Sequence, residues 1–103
     1  QRQLAQLART LVDIASDIPD EVDWILRVDG HTDNVPISTA LFPSNWELSI
    51  SRALSVVRFL SFQGIPSDRL AAAGFGEYQP LDPNKTAQAR GRNRRIELKF
   101  DQK

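Results

Sequence analysis

Leu4, Leu7, Leu11 and Ile14 recur at spacings of three, four and three along the first 18 positions. That spacing puts apolar side chains in one narrow stripe along a helix, and Pro19 follows where the helix should end. The run Asp23-Trp24-Ile25-Leu26-Arg27-Val28-Asp29 reads as a strand closed by Gly30. Residues 30–44 are polar and broken by Pro36 and Pro43, which marks a loop, and loops of about this length in compact domains are often functional. A second helix should start at Ser44 or Asn45, because Ser44 and Glu47 have the spacing of a capping box. It should run through Leu60 and stop at Gly64, with Ile65-Pro66 beyond it. Residues 70–75 predict a short strand with Gly74 and Gly76 around Phe75, although the alanine run alone would suit a helix. Pro80 and Pro83 mark a turn region over 78–84, and 86–92 predict a short basic helix. Residues 95–100 alternate with period two, so Ile96, Leu98 and Phe100 should face inward. The order α-β-loop-α-β-α-β suits an α/β (α+β sandwich) fold, one sheet covered by helices.

Composition narrows the picture. A chain of 103 residues, 41% hydrophobic, suits one domain over 1–103 and is too short for two. Thirteen basic residues balance thirteen acidic ones. A nucleic-acid partner or an anionic membrane surface normally needs excess Lys and Arg, so neither is expected, and an ionic ligand must be met by a local cluster. Without Cys, disulfides, thiolate chemistry and Cys-based zinc sites are excluded. No segment approaches the roughly 20 apolar residues of a membrane span, and no signal peptide is present. The chain starts inside the first helix at Gln1, so 1–18 is expected to lead from an upstream segment, and any membrane anchor would lie there.

Three clusters could carry chemistry. Asp29-Gly30-His31-Thr32-Asp33-Asn34 places two carboxylates, an imidazole and several backbone N–H groups at a strand end, a common ligand position in α/β sheets; an ordinary polar loop is the plain alternative. On the second helix, Asn45, Ser49, Arg52, Ala53, Val56 and Leu60 share a side at about 100° per residue. Arg52 is expected beside the core stripe rather than facing open solvent, and a charge there needs a partner, protein carboxylate or ligand. Arg90, Arg92, Arg94 and Arg95 form a basic patch in which Arg94 shares a face with Ile96 and can turn toward the other polar groups. Leu48, Phe59 and Phe62 lie away from the Val56 stripe, which predicts a second packed layer against 1–18, with a dimer contact as the sharper alternative. An enzyme is the rival class. Asp29-x-His31-x-Asp33 has the Asp-x-His element of dinuclear phosphoesterases, but a single His cannot hold two metals, and no Gly-x-Ser-x-Gly elbow occurs. Neither a metal nor a cofactor is expected.

His31-Thr32-Asp33, Asn45-x-x-Leu48-Ser49-x-x-Arg52-Ala53, Gly74-Phe75-Gly76-Glu77-x-x-Pro80, Asn84-x-Thr86 and Asn93-Arg94-Arg95-Ile96 follow one another in an order that resembles the OmpA-like C-terminal domain. The stretch between Asp33 and Asn45, with Asn45-Trp46-Glu47-Leu48-Ser49, is most similar to its MotB-like branch. Gln88-Ala89 departs from the acidic residue and Gly that many members carry there. The resemblance implies one mixed sheet with helices on one face, and a periplasmic, non-enzymatic module that holds peptidoglycan without covalent bonds through stem-peptide diaminopimelate. It implies ligand contacts at Asp33, Asn45, Arg52 and Arg94, with Thr32 and His31 in the same loop. The free end of diaminopimelate is a zwitterion; Asp33 can accept from its ammonium, and Arg52 can offer its carboxylate a bidentate fork that Lys could not. A protein-interaction or dimerisation module of an envelope or flagellar-stator complex is the alternative reading.

Overall fold

The structure, a computed structural model, describes residues 2–102; Gln1, where the upstream reading rests, and the side chain of Leu4 lie outside the described residues. Helix α1 (Arg2–Asp17) leads into strand β1 (Trp24–His31), helix α2 (Asn45–Phe62), a 3-10 turn (Ser67–Arg69), strand β2 (Leu70–Gly74), helix α3 (Ala87–Asn93) and strand β3 (Arg95–Gln102). The sheet is mixed: β1 is central, parallel to β2 on one side and antiparallel to β3 on the other. The fold expected from the sequence is the one observed, with the pairing of central β1 and edge β3 running to Trp24↔Gln102.

Strand alternation divides β1 between two environments. Trp24, Leu26 and Val28 point to the helices and join Ala8, Leu11, Ala53, Leu60 and Ile65 in the buried core. Ile25, Arg27, Asp29 and His31 take the opposite face, beside Asp101, Lys99, Glu97 and Arg95 of β3. On α1 the buried positions are Ala8 and Leu11, with Val12 and Ala15 packed against the core, whereas Leu7 and Ile14 are half-exposed. The expected leucine stripe is therefore rotated: the small Ala8 lets the helix approach more closely than a leucine would, and closeness decides which side is buried. Leu98 packs against the core, but Ile96 and Phe100 stay half-exposed, because β3 is an edge strand and α2 packs over β1 and β2 instead. Phe59 packs on the core, while Phe62 is 87% exposed, so the second layer expected from Leu48, Phe59 and Phe62 does not form.

Both ends of α2 follow from local sequence. The Ser44 Oγ accepts from Trp46 N at 3.2 Å and donates to Glu47 Oε1, a variant of the capping box. Gly64 takes φ 119°, and its N–H donates to Ser61 O while Ile65 N–H donates to Leu60 O, the paired bonds of a Schellman stop.

The helix lies unusually close to the sheet. A Cβ on Gly30 would stand 2.2 Å from Ser49 O, and one on Gly74 would stand 2.3 Å from Ile50 Cγ1 and 2.7 Å from Ile50 N. Neither position tolerates a side chain without moving α2. We expect Gly30→Ala to cost roughly 3 kcal/mol or to prevent folding, whereas Gly91→Ala, where the nearest atom is a flexible Arg94 nitrogen at 3.6 Å, should stabilise α3 by about 0.5–1 kcal/mol. Thermal unfolding of the two variants checks this; equal melting temperatures would remove the close approach as a constraint.

Candidate functional site

Past the end of β1 the chain is anchored rather than free. Thr32 N donates to Gly76 O at 2.9 Å, so the loop leaves the sheet tied to the segment that follows β2. Thr32 is buried, and its Oγ1 donates to Asp33 O. The Asp33 carboxylate accepts Val35 N at 3.0 Å through Oδ1, an Asx turn that holds the acid in place. Its Oδ2 accepts from Arg94 Nη1 at 2.6 Å. Arg94 follows α3 directly, so the last helix and the 32–35 loop meet through this ion pair.

Across from the loop stands the first half of α2. Asn45, Leu48 and Arg52 occupy successive turns facing the loop, and together with Thr32, Asp33, Val35, Pro36, Ile37 and Arg94 they line an open cavity of about 280 Å³. Its charged lining is one carboxylate and two guanidiniums; the rest is mostly aliphatic. Arg52 is exposed, not buried beside the core as the helical stripe suggested. The stripe assigns direction by angle alone, and Arg52 lies on its rim, where a long side chain reaches water. Among the described residues no hydrogen bond or ion pair holds its guanidinium.

Asn45 is buried, and its Nδ2 is occupied by three protein acceptors: Val35 O at 3.1 Å, Glu77 Oε1 at 3.1 Å and Asp33 O at 3.4 Å. Its observed work is to hold the loop against the helix. Glu77, which sequence reasoning had not singled out, is thereby part of the frame; the signal available was its place in the Gly-Phe-Gly-Glu motif. Ser49, one turn on, plays the matching role: its Oγ donates to Trp46 O and accepts Gly76 N at 3.0 Å. The apolar wall of Val35, Pro36, Ile37 and Leu48 was also missed, because apolar residues in a loop carry no marker of what they line.

His31 does not join this cavity. It is the last residue of β1 on the face away from α2, 4% exposed, with its ring stacked on Phe75 at 5.1 Å. Asp29 lies on that same face, paired bidentately with Arg27 at 2.7 and 2.9 Å. The two carboxylates and the imidazole of the 29–33 segment are therefore divided between two faces. The sheet turns its open face into a self-neutralising array in which Arg95 pairs with Glu97 at 2.6 Å and Lys99 stands 3.6 Å from Glu97 and 3.8 Å from Asp29. Neither nitrogen of His31 has a hydrogen-bond partner among the described residues. Burial, and then the Arg95 charge, hold its pKa below the ordinary 6.5, against the opposing pull of Glu97 and Asp29. The Arg95 hydrogen bond holds Glu97 below its ordinary value. Arg90 and Arg92 also lie outside the cavity: Arg92 pairs with Asp82, and Arg90 donates to Lys85 O. Among the described residues no cluster suited to a metal ion occurs.

The family model described as OmpA family matches residues 2–94. Motility protein B of Bacillus subtilis is 43% identical over 72 residues, 69% of this chain and 28% of that protein. Peptidoglycan-binding protein ArfA of Mycobacterium bovis is 35% identical over 76 residues, 74% of this chain and 22% of that protein. The chain thus spans less than a third of the length of these relatives. Among solved structures, the C-terminal domain of Helicobacter pylori MotB superposes with a TM-score of 0.84 at 27% identity, covering 100% of this chain and 76% of that one.

The buried imidazole gives an acid-side prediction. Unfolded chains take up a proton at His31 as pH falls through about 6.5, while the folded state resists until lower pH, so stability present above that value is lost below it. The melting temperature should fall between pH 7 and 5.5, ahead of the loss that Glu97 causes only as pH drops below the ordinary carboxylate range. His31→Phe, which keeps the ring stack, should flatten the first step and leave the second; an unchanged slope in that variant would contradict the assignment.

Proposed function

The chain belongs to the OmpA family, and on that premise we propose that it binds peptidoglycan non-covalently, taking the zwitterionic end of a stem-peptide diaminopimelate into the cavity between the 32–37 loop and α2. The observation that carries this reading is that Asp33 and Arg52 line one cavity from opposite walls and make no ion pair with each other among the described residues. An acid and a guanidinium held apart across such a space suit an ammonium and a carboxylate on one carbon. The ligand ammonium takes the Asp33 oxygen that Arg94 holds in the free protein. Arg94 is then released to join Arg52 on the carboxylate side. The methylene chain of diaminopimelate lies against Val35, Pro36, Ile37 and Leu48. With two guanidiniums against one carboxylate, the cavity favours a ligand bearing more carboxylate than ammonium, as a stem peptide does.

Thr32 and Asn45 serve this site by shaping it, and His31 stays outside it. The cavity's one carboxylate, Asp33, is paired with Arg94, an arrangement that suits holding a charged ligand better than turning it over. The module then works as a wall anchor in the periplasm, within an envelope protein of the kind that Motility protein B represents. The alternative, a protein-interaction or homodimerisation module, draws on Phe62 and on half-exposed Leu7 and Ile14; a concentration-dependent dimer in light scattering, lost in Phe62→Ser, would support it.

Arg52 gives the cleanest test, because it is exposed and its removal should leave the melting temperature unchanged. In a pull-down on purified sacculi, Arg52→Ala should weaken retention roughly 10- to 100-fold, the value of one charge-assisted bond. Arg52→Lys should recover only part of this, since it restores the charge without the fork. Full retention by a folded Arg52→Ala chain would overturn the reading.

A further inference from the structure

Trp46 follows Asn45 in α2, and Tyr78 follows Glu77 in the turn after β2. The two indole and phenol rings stack at 5.0 Å with 27° between their planes, yet they are 45% and 58% exposed. A stacked aromatic pair in a core would be buried by its surroundings; this one stands about half exposed at the surface. Ile50, one helical turn after Trp46 on the same flank, is 47% exposed and extends the apolar surface along α2. Gly76 brings the turn backbone close to the rings. Gly76 adopts φ 60°, and a Cβ there would already touch Tyr78 at 3.4 Å and Trp46 at 3.6 Å.

The aromatic pair is linked to the cavity through the residues that precede each ring. The Asn45 side chain lines the cavity and donates to Glu77 Oε1, so the dipeptides 45–46 and 77–78 each present one residue to the frame of the cavity and the next to the aromatic pair. The two features lie on opposite flanks of one helix, whose diameter with side chains is about 10–12 Å. Three residues of extended peptide span roughly 10 Å. A ligand gripped by its third residue in the cavity can therefore lay whatever carries the peptide across the helix N-terminus onto the rings.

We propose that the Trp46–Tyr78 pair is a saccharide platform, on which an N-acetylhexosamine ring of the glycan strand stacks while the stem peptide of the same strand occupies the cavity. This rests on the reading of the cavity as a stem-peptide site. The chemistry fits a sugar: one face of a hexosamine presents axial C–H groups, which the electron-rich face of an aromatic ring attracts, and the flank offers apolar surface rather than a charge. The platform adds selectivity for peptide still attached to glycan over free peptide.

The test compares two soluble ligands, a stem tripeptide alone and the same tripeptide on its disaccharide, by calorimetry. Trp46→Ala and Tyr78→Ala should weaken the disaccharide ligand roughly 3- to 10-fold and leave the tripeptide unchanged, while Arg52→Ala weakens both. Trp46→Phe, which keeps a ring, should recover most of the loss. Because Trp24 is buried, quenching of the exposed indole by N-acetylglucosamine oligomers, absent in Trp46→Phe, gives a second readout independent of the peptide. Equal losses for both ligands in Trp46→Ala, no loss for either, or conversion of a dimer to a monomer by that substitution would each overturn the platform. An Arg52→Ala chain with full affinity for both ligands would instead overturn the cavity reading, leaving the oligomer quenching to judge the platform alone.

Discussion

Helix α2 rests with its backbone against the Cα atoms of Gly30 and Gly74, and this contact sets where the surrounding functional groups can stand. Ser49 lies at the point of contact, fully buried, with its hydroxyl bridging Trp46 O and Gly76 N. Asn45 is one turn earlier and reaches both the 33–35 loop and Glu77. Arg52 is one turn later and clears the core to reach the rim of the cavity. A helix held about an ångström further out, as Cβ atoms at the two glycines would require, would stretch the Asn45 bonds and widen the gap between Asp33 and Arg52. The frame of the cavity is thus made by packing and buried hydrogen bonds, while the groups that would meet a ligand remain at its surface. Such preorganisation lowers the cost of binding, because little of the protein must be ordered when a ligand arrives.

The chain is neutral overall, but its charges are arranged in two different ways. On the open face of the sheet, Arg27 with Asp29 and Arg95 with Glu97 satisfy each other at hydrogen-bond distance, with Lys99 between the two acids. That face has little left to offer a charged partner. In the cavity the balance is incomplete: Arg94 covers Asp33 and Arg52 is left over. In the proposed complex, exchange of Arg94 for a ligand ammonium would trade one charge-assisted bond for another. The net gain would then be small for each contact and sensitive to salt. Weak, exchangeable grip at single sites suits attachment to a polymer, where many copies of the same ligand keep the effective concentration high.

Much of the architecture was legible in the chain because its causes are local. The serine before Asn45 and the glycine after Gln63 act on backbone groups within a few residues, and both are found where the sequence put them, whereas α3 starts one residue later than 86–92, with Thr86 as its cap. Period-two alternation placed Arg95 beside Glu97, and the order of the five motifs was enough to identify the family that the whole-chain match supports. Asp33 and Arg52 could be nominated together for the same reason: motif residues are named by sequence position.

What only the tertiary structure decided is which neighbours in sequence become neighbours in space. His31 and Asp33 are two residues apart, yet one stacks on Phe75 behind the sheet and the other faces α2, because the strand ends between them and Thr32 is drawn to Gly76. Leu7 and Ile14 lost the core to Ala8 and Ala15, and Ile96 and Phe100 remained partly open, because helix distance and edge position belong to the assembled sheet and not to any periodicity. Asn45, which the motif marks for ligand contact, also braces the site, through acceptors 10, 12 and 32 residues away. Periodicity along a chain reports the direction of a side chain about its own helix or strand. The distance to the next layer, and the partner that waits there, are set by packing across the whole molecule.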